Sequence, residues 1–181
     1  MPTTIHEYTD VTARAQELGC VAPTNIAILP RNFATATTRA ELLHESNVTT
    51  VRTLLRKEGI ALDTLEPPDE RFRQAQENDF TWIGPTLLFT AAQLSQNPLL
   101  VSVSLGVIAN YLTDFFRGIS GRKRVTFDVV VEQTKSKKHV HVHFDGDIDG
   151  FKQLPDTVME LIHDERTNVS VSRKDERSTD T

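Results

Sequence analysis

Two stretches near the C-terminal end constrain the fold of this chain more than any others. RVTFDVVVE, residues 124–132, puts Val125, Phe127, Val129 and Val131 on alternate positions, and HVHVHF, residues 139–144, does the same with Val140, Val142 and Phe144. Side chains alternate across a strand, so each stretch has one apolar face. Pairing Val131 with Val140, Val129 with Val142 and Phe127 with Phe144 gathers every apolar residue except Val130 on one side. A slip of one residue would turn one apolar set to water, so burial selects this hairpin register. The turn then falls at Lys135-Ser136.

The same register sets the opposite face. It places Glu132 beside His139, Val130 beside His141 and Asp128 beside His143. Histidines two apart on a strand are about 6.5–7 Å apart at the backbone. Two of them can share one zinc with Zn–N bonds near ~2.0–2.1 Å. All three cannot, because His139 and His143 are about 13 Å apart. The sharpest metal set is therefore His141 and His143 with Asp128. Such a row also responds to pH, since imidazole titrates near neutrality and adjacent acids favour its charged form. The plainer reading, a solvated strand face holding no structural metal, is the expectation, because a motif outside its structural context is weak evidence.

Asp145, Asp147, Asp149 and Gly150 then match the opening of an EF-hand calcium loop, with Asp156 at the twelfth position. Lys152 stands at the usually apolar eighth position, the twelfth residue is not the bidentate glutamate, and a strand precedes the loop. These departures favour a tight turn whose acids lie near a helix N-terminus. No cofactor is expected; calcium at this loop and zinc at the histidine face are the alternatives.

Upstream, Asp10–Leu18 reads as a helix closed by Gly19. NIAIL, residues 25–29, reads as a buried strand ended by Pro30. TTRAELLHES and NVTTVRTLLRKEG read as helices, and IALDTL returns as a strand, which makes a parallel strand–helix–strand crossover. If the first strand is central, its C-terminal end at Arg31 and Asn32 is where open α/β sheets place ligands. EPPDERFRQAQEND reads as a surface loop. No charged residue occurs from Phe80 to Thr113. Pro85 after Gly84, and Asn97-Pro98, suggest two helix starts in that run. The second helix runs from Pro98 to about Arg117, with Leu100, Val103, Val107 and Tyr111 in one stripe. Ser102, Gly106, Ala109 and Thr113 form a second stripe, open to close helix approach. Leu154 to His163 closes the fold with Val158, Leu161 and Ile162 inward.

These elements predict a mixed α/β (α+β) domain over residues 1–165. It has a small mixed sheet, a C-terminal antiparallel hairpin and helices on its apolar face, including a central apolar helical hairpin from Pro85 to Arg117. Residues 166–181 are polar and read as a disordered tail. A single cysteine, Cys20, excludes an internal disulfide and cysteine-rich zinc sites. A net charge of −5 offers no global attraction to nucleic acid. Residues 41–60 imitate a helix-turn-helix through Arg52, Arg56 and Lys57, but Ser46-Asn47 is a poor turn. The N-terminal residues show no secretory signal, so a cytoplasmic location is expected.

No nucleophile elbow, phosphate loop, dinucleotide fingerprint or H-E-x-x-H is present, and the expectation leans against an enzyme. The leading functional expectation is a non-enzymatic interaction or accessory module with a protein partner. One alternative is a metal-dependent enzyme or a metal or pH sensor using His139, His141 and His143. Another is membrane association through residues 80–113, weakened by the polar and proline residues that interrupt that run.

Overall fold

The computed structural model describes residues 3–76, 81–119, 123–133 and 138–164. The expected turn at Lys135-Ser136 and the polar tail lie outside the described residues. The elements are β1 (Thr3–Tyr8), α1 (Val11–Glu17), β2 (Ile26–Leu29), a 3₁₀ turn (Arg39–Glu41), β3 (Leu43–His44), α2 (Val48–Lys57), β4 (Leu62–Asp63) and β5 (Arg73–Gln74). Then come β6 (Thr81–Phe89), α3 (Ala91–Gln96), α4 (Leu100–Phe116), β7 (Arg124–Glu132), β8 (His139–Gly146), α5 (Ile148–Phe151) and α6 (Leu154–Asp164). The molecule is a mixed α/β fold. Its main sheet has the order β1-β8-β7-β6-β2-β4, and β3 pairs with β5 separately.

The hairpin register is the one that burial demands. Val131 faces Val140, Val129 faces Val142, Phe127 faces Phe144, and Asp128 faces His143. Phe127, Val129, Val142 and Phe144 have no solvent exposure. Each fully buried side chain of this size contributes roughly 1.5–3 kcal/mol, so these four anchor the sheet. Helices α2, α4 and α6 cover this face, and α4 lies against both of the others. The expected crossover is also present: β2 and β4 pair in parallel, Ile26 with Leu62, with α2 between them. Gly19 and Gly59 end their helices at φ 67° and 73°, the left-handed conformation that glycine adopts without a Cβ penalty.

Four expectations need correction. First, Pro85 does not start a helix. Residues Thr81–Phe89 are strand β6, parallel to β7 and antiparallel to β2, and the helical pair is α3 and α4. A central strand is buried on both faces, so it reads as a continuous apolar run with no alternation to reveal it. Pro85 fits because the β6–β7 ladder is interrupted between Ile83 and Thr86, where no N–H donor is required.

Second, TTRAELLHES is not a helix. It is the 3₁₀ turn followed by β3, so no α-helix lies between β2 and α2 and the helix-turn-helix reading fails.

Third, α4 buries Val101, Leu105, Ile108 and Leu112, while Val103 is 48% exposed. A Cβ on Gly106 would meet nothing within 4 Å, so the small-residue stripe receives no close helix there.

Fourth, the sheet has a second apolar face. Val11, Ala15, Leu18 and Phe33 pack on Ala27, Leu29, Leu88 and Val130. Val130, the one valine left on the polar side by the hairpin register, is the residue that marks this second layer. No described helix is long and apolar enough to cross a membrane.

Candidate metal centre

The histidine row lies on the face that carries Val130, in the β1–β8–β7 part of the sheet. Asp128 is directly opposite His143 and diagonal to His141, because His141 pairs with Val130. One carboxylate therefore sits between two imidazoles spaced by two residues. The structure brings Asp128, His141 and His143 together: one potential ligand atom from each lies within 4.8 Å of the others. His141 Nε2 and His143 Nδ1 each lie 2.7 Å from Asp128 Oδ1. An ionised carboxylate only accepts, so both rings donate to that one oxygen. The side chains are half-buried, with 20%, 17% and 36% exposure for Asp128, His141 and His143.

His139 parts from this group. It is buried, not solvated, and its Nε2 lies 3.1 Å from Glu132 Oε2 without hydrogen-bond alignment. Glu132 is in turn held by the backbone N–H of Ala91 at the start of α3.

The residues missed from sequence are on β1. This strand pairs antiparallel with β8 and sets His6 opposite His141. His6 Nε2 is 2.7 Å from His141 Nδ1, and the rings meet edge to face with centroids 4.4 Å apart. Tyr8 adds a third ring, 5.4 Å from that of His141. The available signal was the alternation Thr4, His6, Tyr8 in a stretch rich in strand formers. Ile5 and Glu7, on the other positions, carry no apolar pattern, and Ile5 is 47% exposed.

The electrostatics suit cation binding. Burial pushes the Asp128 carboxyl upward, but the hydrogen bonds and charge of His141 and His143 outweigh it and hold the group below its ordinary value. His6 is lowered by desolvation first and then by the charge of His141 and His143, against the pull of Asp128. A neutral His6 can accept from His141 Nδ1–H, and a metal would then take the place of the proton that His141 Nε2 donates to Asp128. Burial, aided by the Asp128 charge and opposed by Arg14, pushes the Tyr8 phenol upward, so it stays protonated. Two imidazoles and one carboxylate form a donor set that leaves coordination positions open to water or a small ligand.

The other site expectations fare differently. Asp145, Asp147, Asp149 and Asp156 do not converge: no three of them bring carboxylate oxygens within 4.8 Å of one another. Asp145 is bound by the Arg124 guanidinium, and Asp147 caps α5 by accepting from Gly150 N–H at 2.7 Å. Asp149 and Asp156 lie exposed in the first turns of α5 and α6. Arg31 reaches Glu45 at 3.7 Å. Both ends of the Asn32 amide hold the Pro30–Leu43 loop, donating to Glu41 C=O and accepting from Leu43 N–H. Asn32 is thereby committed to loop structure.

Comparisons with protein-family models, curated proteins and solved structures find no match to this chain.

Proposed function

We propose that this chain binds a divalent transition metal, with Asp128, His141 and His143 as ligands and His6 as the group that orients His141. The observation that carries the reading is the convergence of those three ligand atoms within 4.8 Å on adjacent, fully paired strands. Strands give a rigid platform, and His6 holds His141 Nδ1 from the side where a carboxylate, carbonyl or water ordinarily orients a metal-bound histidine. The metal would supply Lewis-acid chemistry or a sensing event at its open positions. Zinc is the natural probe, since zinc accepts nitrogen and carboxylate donors alike.

Zinc at about a hundredfold excess over Kd should stabilise the fold by roughly 2.7 kcal/mol. For a domain of this size that raises Tm by about 5–11 °C. Asp128→Asn and His143→Gln should abolish the shift, and His6→Gln should weaken binding by about 10–100-fold. Melting curves that coincide with zinc and with chelator would remove the proposal, provided circular dichroism shows the variants folded.

A second reading, the protein-interaction module, is favoured by the outer face of α4. Leu99, Val103 and Phe115 are 63%, 48% and 44% exposed. Half-buried Val107 and Tyr111 continue the same four-residue spacing, so an apolar stripe runs the length of the helix. The simplest partner is a second copy. Sedimentation should show self-association that Val103→Asp abolishes, and a wild-type monomer at high concentration would dismiss that partner.

A further inference from the structure

At the opposite edge of the sheet, beyond β4, lies a cleft of about 450 Å³. It is lined by Arg52 and Arg56 of α2, by Ile60 to Thr64, and by Glu66, Pro67, Pro68, Glu70 and Arg71 of the following segment. The cleft contains three arginines, Arg52, Arg56 and Arg71, and three acids, Asp63, Glu66 and Glu70. Its formal charge balances, but its available charge does not, because each acid already has an internal partner.

Asp63 Oδ2 accepts from the backbone N–H of Thr24 at 2.8 Å and of Asn25 at 2.9 Å. These bonds and the side chains of the same two residues outweigh the burial that pushes Asp63 upward, and they hold it ionised. Glu66 is buried; its Oε1 is 3.0 Å from His44 Nε2 and 3.3 Å from Arg52 Nη2. Glu70 lies 2.9 Å from Arg39, which is outside the cleft wall. By contrast, Arg56 and Arg71 are exposed and form no ion pair among the described residues. Arg52 and Arg56 are one turn apart on the same helix face. The buried Glu66 fixes Arg52 in place, which reduces the ordering cost of using its remaining N–H donors.

We infer that this cleft is a binding site for a small organic phosphate. Two unpaired guanidiniums and one preorganised guanidinium suit a dianion, and planar guanidinium forks match phosphate oxygens in bidentate fashion. Ile60, Leu62, Pro67 and Pro68 supply an apolar wall for the organic portion of the ligand. The volume falls in the range of small-molecule sites and is too small for a folded partner. The site is independent of the proposed metal centre: β4 and β8 are four strand positions apart, about 19 Å.

Calorimetric titration of the full chain with phenyl phosphate, inorganic phosphate, succinate and a short DNA duplex tests the inference. Phenyl phosphate should bind more tightly than inorganic phosphate or succinate. Arg56→Gln and Arg71→Gln should each weaken it by about tenfold, since a hydrogen bond to a charged group contributes that much. Neither side chain has an ion pair to lose, so Tm should stay near wild type. Arg73→Gln, on β5 outside the cleft, should leave phenyl phosphate affinity unchanged. No binding at millimolar phenyl phosphate, equal loss from Arg73→Gln, or tighter binding of succinate or DNA would each overturn the assignment. The zinc response should persist in Arg56→Gln and Arg71→Gln, so failure here is separable from failure of the metal reading.

Discussion

Gly84→Ala should be far more damaging than a single added methyl group suggests. Gly84 sits where the β6–β7 ladder breaks. A Cβ there would lie 2.3 Å from Phe127 Cδ2, 2.8 Å from Phe127 Cε2 and 2.7 Å from Trp82 Cζ3. Carbon atoms rest at about 3.5–4.0 Å, so both rings must retreat, Phe127 by at least ~1 Å. Phe127 has no exposed surface into which to move. The edge of Phe151 is set against it at 5.4 Å between centroids, and Trp82 stacks on it at 6.3 Å. Overpacking of a well-filled core costs about 1–3 kcal/mol, and a ring confined on both sides belongs at the upper end. At roughly 2–4 °C per kcal/mol, Tm should fall by about 6–12 °C. Trp82 is the sole tryptophan and is 3% exposed, so its emission reports unfolding directly. Phe127 immediately precedes Asp128 on β7, so the same substitution should also weaken zinc binding. Phe127→Leu in the Gly84→Ala background should recover part of the loss by making room. A Gly84→Ala protein that melts with the wild type would refute the argument, because it would show that the β6 bulge yields more easily than the core.

Val142→Asp should abolish folding, since it strands a charge at a position with no exposure, and a native circular dichroism spectrum would contradict that. Burial, and secondarily the charge of Arg52, hold the His44 imidazole below its ordinary 6.5 against the opposing influence of Glu66. The native state therefore takes up that proton less readily than the unfolded chain. Stability from this group is full above pH 6.5 and is lost as pH falls below it, so urea midpoints should drop on that side and drop less in His44→Gln. Burial, with the Glu70 charge adding and Arg39 opposing, raises the Cys20 thiol, so its reaction with a disulfide reagent should be slow until urea unfolds the chain. Millimolar calcium should leave Tm unchanged, because Arg124 already occupies Asp145, and a rise abolished by Asp147→Ala would show otherwise.

The residues alone determined the hairpin. A period-two pattern with one apolar face excludes any odd slip, and pairing all its apolar positions sets Asp128 beside His143 before any other element is known. Helix ends at Gly19 and Gly59, and the parallel return of β4 beside β2, were likewise legible from local chemistry. Tertiary structure decided the rest. Pro85 looked like a helix start because a strand buried on both faces, here Thr81–Phe89, loses its alternation, and only its neighbours β7 and β2 show why. Leu43–His44 is a strand of two residues, too short to leave a period. The candidate centre shows the same division. Asp128, His141 and His143 are local to one hairpin, so their convergence follows from register. His6 is 135 positions away from His141, and no local pattern can report a pairing between strands at opposite ends of the chain. The arginine cleft depends still more on the fold. Which of its charged groups already have partners is set by Thr24, Asn25, His44 and Arg39, all brought from elsewhere in the chain by packing.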